Sequence, residues 1–229
     1  MGRTTHSKRK SGSIMSHLKQ KMELINDDCR NHVSRLTEHD NCLVIYDPPY
    51  DEWDHVLNIT STSKIAFTSP QRRHETENIL GKPRNEIVWF FKDGRWVSKN
   101  LPRITHNYIF VYGKTSDAAV GIKQEIKTMK KGYTSIGKDN LGERIFTTKP
   151  RKHLNSVLEY PRNMKNGSWG KPVGLLKNLI EWIDPDIVVD LYMGTGSAGK
   201  ACLELNKSYV GVEKNSDVFE KTRASLQVC

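Results

Sequence analysis

Residues 189–201 read VDLYMGTGSAGKA, and the stretch admits three cofactor readings. G-x-x-x-x-G-K resembles a phosphate-binding P-loop, G-x-G-x-x-G a dinucleotide loop, and D-x-x-x-G-x-G after an apolar strand a nucleoside site. A P-loop needs Ser or Thr after its Lys as a Mg²⁺ ligand, and here that position is Ala201. It also needs a later strand with an acid for the metal, and after Ala201 only one strand and one helix remain. The dinucleotide reading fares better locally. Ile187 to Val189 forms a strand, Gly199 to Leu205 a helix and Tyr209 to Val212 a second strand ending at Glu213, where a carboxylate can meet ribose hydroxyls. Such a unit normally opens a sheet, however, and here it comes last. Most of the sheet must therefore come from earlier residues.

The other end of the chain explains that order. Cys42 to Tyr46 is an apolar run of buried-strand character, and Asp47-Pro48-Pro49-Tyr50 follows it directly. Two prolines could mean only a rigid turn. Yet at average residue usage D-P-P-Y occurs by chance in roughly one chain in a thousand of this length. It also stands at the carboxyl end of a strand, where open α/β sheets bind ligands. An exocyclic amine on a nucleobase is a poor nucleophile, because its lone pair is delocalised into the ring. The Asp47 carboxylate and the Pro48 carbonyl can accept its two N–H bonds and turn the lone pair towards a methyl donor. Pro49 holds that carbonyl in place, and Tyr50 can stack on a base swung out of its helix.

With these residues in place, the chain resembles the amino-group DNA methyltransferases in permuted order, catalytic motif first and cofactor motif last, as in their β class. The resemblance implies a Rossmann-like α/β methyltransferase sheet with helices on both faces, circularly permuted, and S-adenosylmethionine as cofactor. "LINDDCRNHVSRLTEHDNCLVIYDPPY" is similar to the family's leading strand, acidic turn, helix and catalytic strand, which puts Asp28, or Asp27 one residue earlier, near the cofactor's adenine. "HNYIFVYGK" resembles a later strand, with Asn107 where the family has Glu. "WGKPVGLLKNLI" resembles the Lys-Pro helix start that frames the methionine end, giving Lys171 and Pro172. The glycine loop then supplies Asp190, Tyr192, Gly194, Gly196 and Ser197, and the next strand supplies Glu213, with Asp47 reaching both cofactor and base. Gly194 and Gly196 are expected to let backbone approach the ligand. Tyr46 ahead of the motif favours N6 of adenine, since enzymes acting on N4 of cytosine more often carry Ser there. A catalytically silent nucleic-acid-binding protein on the same fold is the alternative of another class.

Composition agrees with a polyanionic partner. The 229 residues carry a net charge of +10 and a pI near 9.4. Double-stranded DNA is the expected partner, met by a disordered basic arm (1–12) and a basic insert (115–160) within one methyltransferase domain (13–229). So short an insert offers phosphate contacts more readily than base-reading ones, which points to relaxed target specificity. Strands are expected at Met22 to Ile25, Lys64 to Thr68, Glu86 to Phe91 and Tyr108 to Tyr112. An amphipathic helix is expected over 172–183 and a last helix from Ser216 to about Leu226. Four scattered cysteines fit reduced thiols of a cytoplasmic protein of bacterial, archaeal or phage origin. Cys29-x-x-His32 lacks a matching second pair, so no metal is expected. No apolar run approaches a membrane span. A homodimer and a restriction–modification setting are both compatible with this reading.

Overall fold

The computed structural model describes residues 21–36, 39–48, 63–95, 98–113, 115, 134–139, 142–147, 154–162 and 170–227. Ten strands form in chain order: β1 (Met22–Ile25), β2 (Cys42–Tyr46), β3 (Ser63–Thr68), β4 (Asn85–Arg95), β5 (Ile104–Gly113), β6 (Thr134–Asp139), β7 (Gly142–Thr147), β8 (Val157–Glu159), β9 (Ile187–Asp190) and β10 (Ser208–Val212). Eight of them make one sheet in the order β1-β10-β9-β2-β3-β5-β4-β8, and β6 and β7 form a separate antiparallel hairpin. From β1 to β3 neighbouring strands run parallel, whereas β5 lies antiparallel to both β3 and β4.

The parallel half explains its own sequence. All five residues of β2 are buried, because a parallel strand covered on both faces reads as a continuous apolar run. Leu43, Ile45, Ile65, Val188 and Tyr209 join one core with α3 (Val173–Ile183), α4 (Ser197–Leu205) and α5 (Ser216–Gln227). Val44, Tyr46, Ala66, Val189 and Val210 join a second core on the opposite face, against which α1 (Val33–Leu36) and α2 (Arg73–Leu80) pack. Helices therefore cover both faces. In α3, Leu175, Leu176, Leu179, Ile180 and Ile183 are all buried, each contributing about 1.5–3 kcal/mol. Pro172 caps the start of α3, and Asp184 ends it in the left-handed region at φ 54°.

Several elements run past their expected bounds. β4 continues to Arg95 and β5 starts at Ile104, because the two pair as a long hairpin with an irregularity between Phe90 and Arg95. No helix separates them, so strands and helices do not alternate through this half. Within 115–160 lie both strands of the hairpin and β8, which joins the edge of the main sheet through Val88, Trp89 and Phe90. The basic arm and most of the remaining insert fall outside the described residues. Among the described residues no helix is long and apolar enough to cross a membrane.

Chain direction fixes where a ligand can sit. From β9 the chain moves outward to β10, while from β2 it moves the other way to β3, and β9 and β2 are neighbours. The strand order thus reverses between them, and the crevice beyond their carboxyl ends is the binding position of an open α/β sheet.

Candidate active site

Ile45 of β2 pairs with Asp190 of β9, so Asp47 and Tyr192, two residues further along each strand, emerge side by side. The Tyr46 and Tyr192 rings meet edge-on at 5.7 Å. Two cavities open there. The larger, about 450 Å³, is walled by Asp27, Asp28, Asp47, Pro48, Lys171, Tyr192, Gly194 and Glu213 on one side. On its other side stand Phe67, Ser69, Trp89, Phe91, Asn107 and Arg162. The smaller, about 100 Å³, shares Asp47, Lys171, Tyr192 and Gly194 and adds Asp190 and Ser197. Segments far apart in sequence thus build a single crevice. Pro49 and Tyr50 lie outside the described residues, as do Trp53 and Trp169.

Asp47 is not alone in its charge. Lys171, just ahead of α3, places its ammonium against the Asp47 carboxylate and 4.9 Å from the centre of the Phe67 ring. The lysine is mostly buried and the carboxylate about one-third exposed, so the pair holds one oxygen of Asp47 while the other faces the cavity side.

The glycine loop is fixed from below. Met193 donates its N–H to the Val212 carbonyl at 2.9 Å, and Thr222 of α5 donates to the Gly194 carbonyl at 2.6 Å. The Glu213 carboxylate accepts the N–H groups of Gly194 at 3.0 Å and Asn215 at 2.9 Å. Each of its oxygens keeps a further lone pair for an incoming hydroxyl. Asp190 is fully buried. Its carboxylate accepts the Tyr192 N–H at 3.2 Å and the Tyr209 hydroxyl at 3.3 Å. Burial, above all, pushes its pKa up to about 7, and the charge of Asp47 adds to the rise.

The acidic turn is already engaged in the chain itself. Asp28 caps the turn at Cys29–Asn31 and accepts the Arg30 side chain at 2.8 Å, an interaction that holds its pKa down at about 2. Asp27 accepts the Asp28 N–H at 2.7 Å and lies 2.8 Å from His32. Cys29 is buried beside them.

The two glycines that open the loop differ. At Gly194 (φ 49°) an added Cβ meets only the Tyr192 carbonyl at 3.8 Å, and the residue lines both cavities. Gly196 (φ 73°) lines neither cavity, and an added Cβ falls 2.6 Å from Thr222 of α5. Its small size serves the packing of the last helix rather than ligand approach, and Pro172 likewise acts as a helix cap away from both cavity walls. Gly196→Ala should therefore cost about 2–4 kcal/mol from overpacking and left-handed strain, read as a fall in Tm of several degrees. Gly194→Ala should move Tm much less and act mainly on ligand affinity. Equal Tm losses in the two variants would contradict this division.

Basic residues singled out beyond the motifs are largely occupied in the structure. Arg73 pairs with Glu77 and Glu86, Arg84 donates to the Gly113 carbonyl, and Lys92 pairs with Glu159. Arg72 lines the larger cavity within 3.8 Å of Glu75. The aromatic wall of Phe67, Trp89 and Phe91 was not expected from the motifs. Its sequence signal is the period-two spacing of Trp89 and Phe91, which puts both rings on one face of β4.

The family described as DNA methylase (N6_N4_Mtase) matches residues 33–224. The chain belongs to this N6/N4 amino-group DNA methyltransferase family, whose cofactor is S-adenosylmethionine. No curated protein matches it. Among solved structures, the M1.HpyAVI–SAM complex is 15% identical with a TM-score of 0.59, covering 90% of this chain and 98% of that one. The cytosine-N4-specific PvuII DNA methyltransferase is 11% identical with a TM-score of 0.62, covering 90% and 86%. A DNA modification methylase from Thermus thermophilus, TTHA0409, complexed with S-adenosyl-L-methionine, is 14% identical with a TM-score of 0.57, covering 91% and 95%. At these identities the likeness is one of fold.

Proposed function

We propose that this chain is an S-adenosylmethionine-dependent DNA methyltransferase acting on the exocyclic amine of a base flipped out of double-stranded DNA, with N6 of adenine as the favoured acceptor. The observation that carries the reading is the shared wall. Asp47 and Pro48 border the same cavity as Gly194 and Glu213, so an amine-gripping group and a nucleoside-sized recess face one another. The fold is read as the circularly permuted form, since β2 with the catalytic motif precedes β9 with the glycine loop.

The residues present fit the cofactor. Gly194 leaves open space where a side chain would stand, Glu213 offers free lone pairs to ribose hydroxyls, and Asp28 stands at the far end of the recess for the adenine. Asp190, Ser197, Lys171 and Tyr192 line the smaller cavity, suited to the methionine end. When bound, S-adenosylmethionine supplies an electrophilic methyl group. Asp47 accepts one N–H of the target amine and the Pro48 carbonyl the other, which draws the nitrogen towards tetrahedral geometry. Lys171 balances the Asp47 charge and keeps the carboxylate from turning away. Phe67, Trp89 and Phe91 give the base an apolar wall, with Tyr50 assigned the stacking role on the open side.

The adenine preference rests on Tyr46 ahead of Asp47-Pro48-Pro49-Tyr50, and the relaxed specificity on the short basic insert. Incubation with labelled S-adenosylmethionine and unmethylated DNA, followed by nucleoside mass spectrometry, should yield N6-methyladenine. N4-methylcytosine would redirect the acceptor assignment, and an unmodified product would leave the silent DNA-binding alternative.

A further inference from the structure

We infer that Asn107, with Ser69 beside it, reads the ring edge of the flipped base, a proposal that rests on the methyltransferase reading above. Asn107 lies on β5, one residue beyond the Thr68–Tyr108 pair, and Ser69 lies one residue beyond the same pair on the β3 side. The two therefore stand opposite each other where β3 ends. Asn107 is also the cross-strand partner of Trp89. Side chains alternate along a strand, so Asn107 shares its face with Ile109 and Val111, the face that carries Phe67 and Trp89. Asn107 and Ser69 both line the larger cavity, on its aromatic side.

Other polar groups on this side are engaged within the protein. The Trp89 indole donates to the Tyr160 carbonyl at 2.9 Å. Thr68 shares its hydroxyl with Thr76 at 2.7 Å. Arg162 sits 5.0 Å from the Phe91 ring centre and donates to Asp93 at 3.2 Å. Lys171 is held by Asp47. The Asn107 amide has no hydrogen-bond partner among the described residues, and the Ser69 hydroxyl makes no capping bond to the turn that it opens. Part-buried polar groups without an internal partner are exceptions that call for a ligand or water.

The chemistry of the base supplies what is missing. Once Asp47 and Pro48 take both amine hydrogens, the ring nitrogen next to the amine-bearing carbon still needs a donor. That atom, N1 in adenine or N3 in cytosine, loses its partner when the base leaves the duplex. An amide NH₂ can donate to it, while the amide oxygen accepts from Ser69 or water. An aspartate of the same shape has no hydrogen to give and turns an attraction into a repulsion, so it should be worse than deletion of the side chain.

The test compares wild type, Asn107→Ala, Asn107→Asp and Ser69→Ala. Steady-state methyl transfer to unmethylated plasmid DNA is measured beside S-adenosylmethionine affinity by calorimetry. Asn107→Asp should lower kcat/KM for DNA by on the order of 10²-fold, as sites with unpaired polar groups discriminate strongly. Asn107→Ala should cost on the order of tenfold and Ser69→Ala a few-fold, all with cofactor affinity within about twofold of wild type. Wild-type kcat/KM in Asn107→Asp overturns the proposal alone. So does a parallel loss of cofactor affinity, which marks a structural role. Absence of transfer by the wild-type protein overturns the methyltransferase reading and this one with it.

Discussion

Asp47→Ala should reduce methyl transfer by on the order of 10³-fold or more, the scale of lost transition-state hydrogen bonding and positioning. Affinity for S-adenosylmethionine should change far less. The argument is one of placement. Asp47 leaves β2 level with Tyr192, its carboxylate is held on one side by Lys171, and the remaining oxygen faces the recess where an amine would enter. Removing the carboxylate leaves the Pro48 carbonyl to hold one N–H alone, and the lone pair stays in the ring. Asp47→Asn keeps the shape but turns an NH₂ towards the Lys171 ammonium, so it should retain only a small part of the activity. Lys171→Met tests the other half of the pair. It leaves Asp47 in place without its counter-ion and should lower kcat more than it raises KM for DNA. Single-turnover transfer with saturating cofactor reads these effects, and activity of Asp47→Ala within about tenfold of wild type would falsify the assigned role.

How far the sequence revealed this arrangement depended on burial. β2, β9 and β10 were legible because strands buried on both faces carry uninterrupted apolar residues, as in Cys42 to Tyr46. α3 was legible from its stripe, and Pro172 marked its start. The antiparallel half was harder. β4 ends in Lys92-Asp93-Gly94-Arg95, which reads as a loop, yet it pairs with Ile104 because the hairpin partner supplies the hydrogen bonds. β8 has three residues with only Leu158 buried between two exposed neighbours, too short a pattern to stand out in a basic stretch. α2, Arg73 to Leu80, carries almost no apolar face and holds its place through Thr76 and ion pairs of Arg73. In the site, the motif residues could be named because chemistry dictates their type. Trp89, Phe91 and Asn107 could not, because cavity walls demand only shape and a free polar group, and those emerge when β4 and β5 come to lie beside β3.

Between pH 5 and pH 8 the wild-type protein should lose stability, and Asp190→Asn should remove most of that loss. Asp190 is fully buried, with its pKa raised from 3.8 to about 7 by burial first and by the Asp47 charge in addition; the Tyr192 N–H, Tyr209 hydroxyl and Lys171 oppose the rise. A raised carboxyl pKa means that the folded state keeps a proton that the unfolded chain has released. Its contribution is therefore fully present below about pH 4 and is lost as pH climbs to about 7. The gap corresponds to at most about 4 kcal/mol. Asp28, with its pKa lowered to about 2, and Glu23, also lowered, contribute in the opposite sense, but both are ionised throughout this window in folded and unfolded states alike. An asparagine fits the same two contacts, its oxygen accepting from Tyr192 and its NH₂ donating to the Tyr209 oxygen. Melting curves at pH 5, 6.5 and 8 should show wild type falling by several degrees relative to Asp190→Asn, and parallel curves would contradict the assignment. The same coupling reaches the ligand. Asp190 borders the smaller cavity, where a cationic group bound nearby favours the ionised carboxyl. Affinity for S-adenosylmethionine should then rise from pH 5 to pH 7 in wild type and stay flat in Asp190→Asn, because only in the former must a proton leave for the charge to be met.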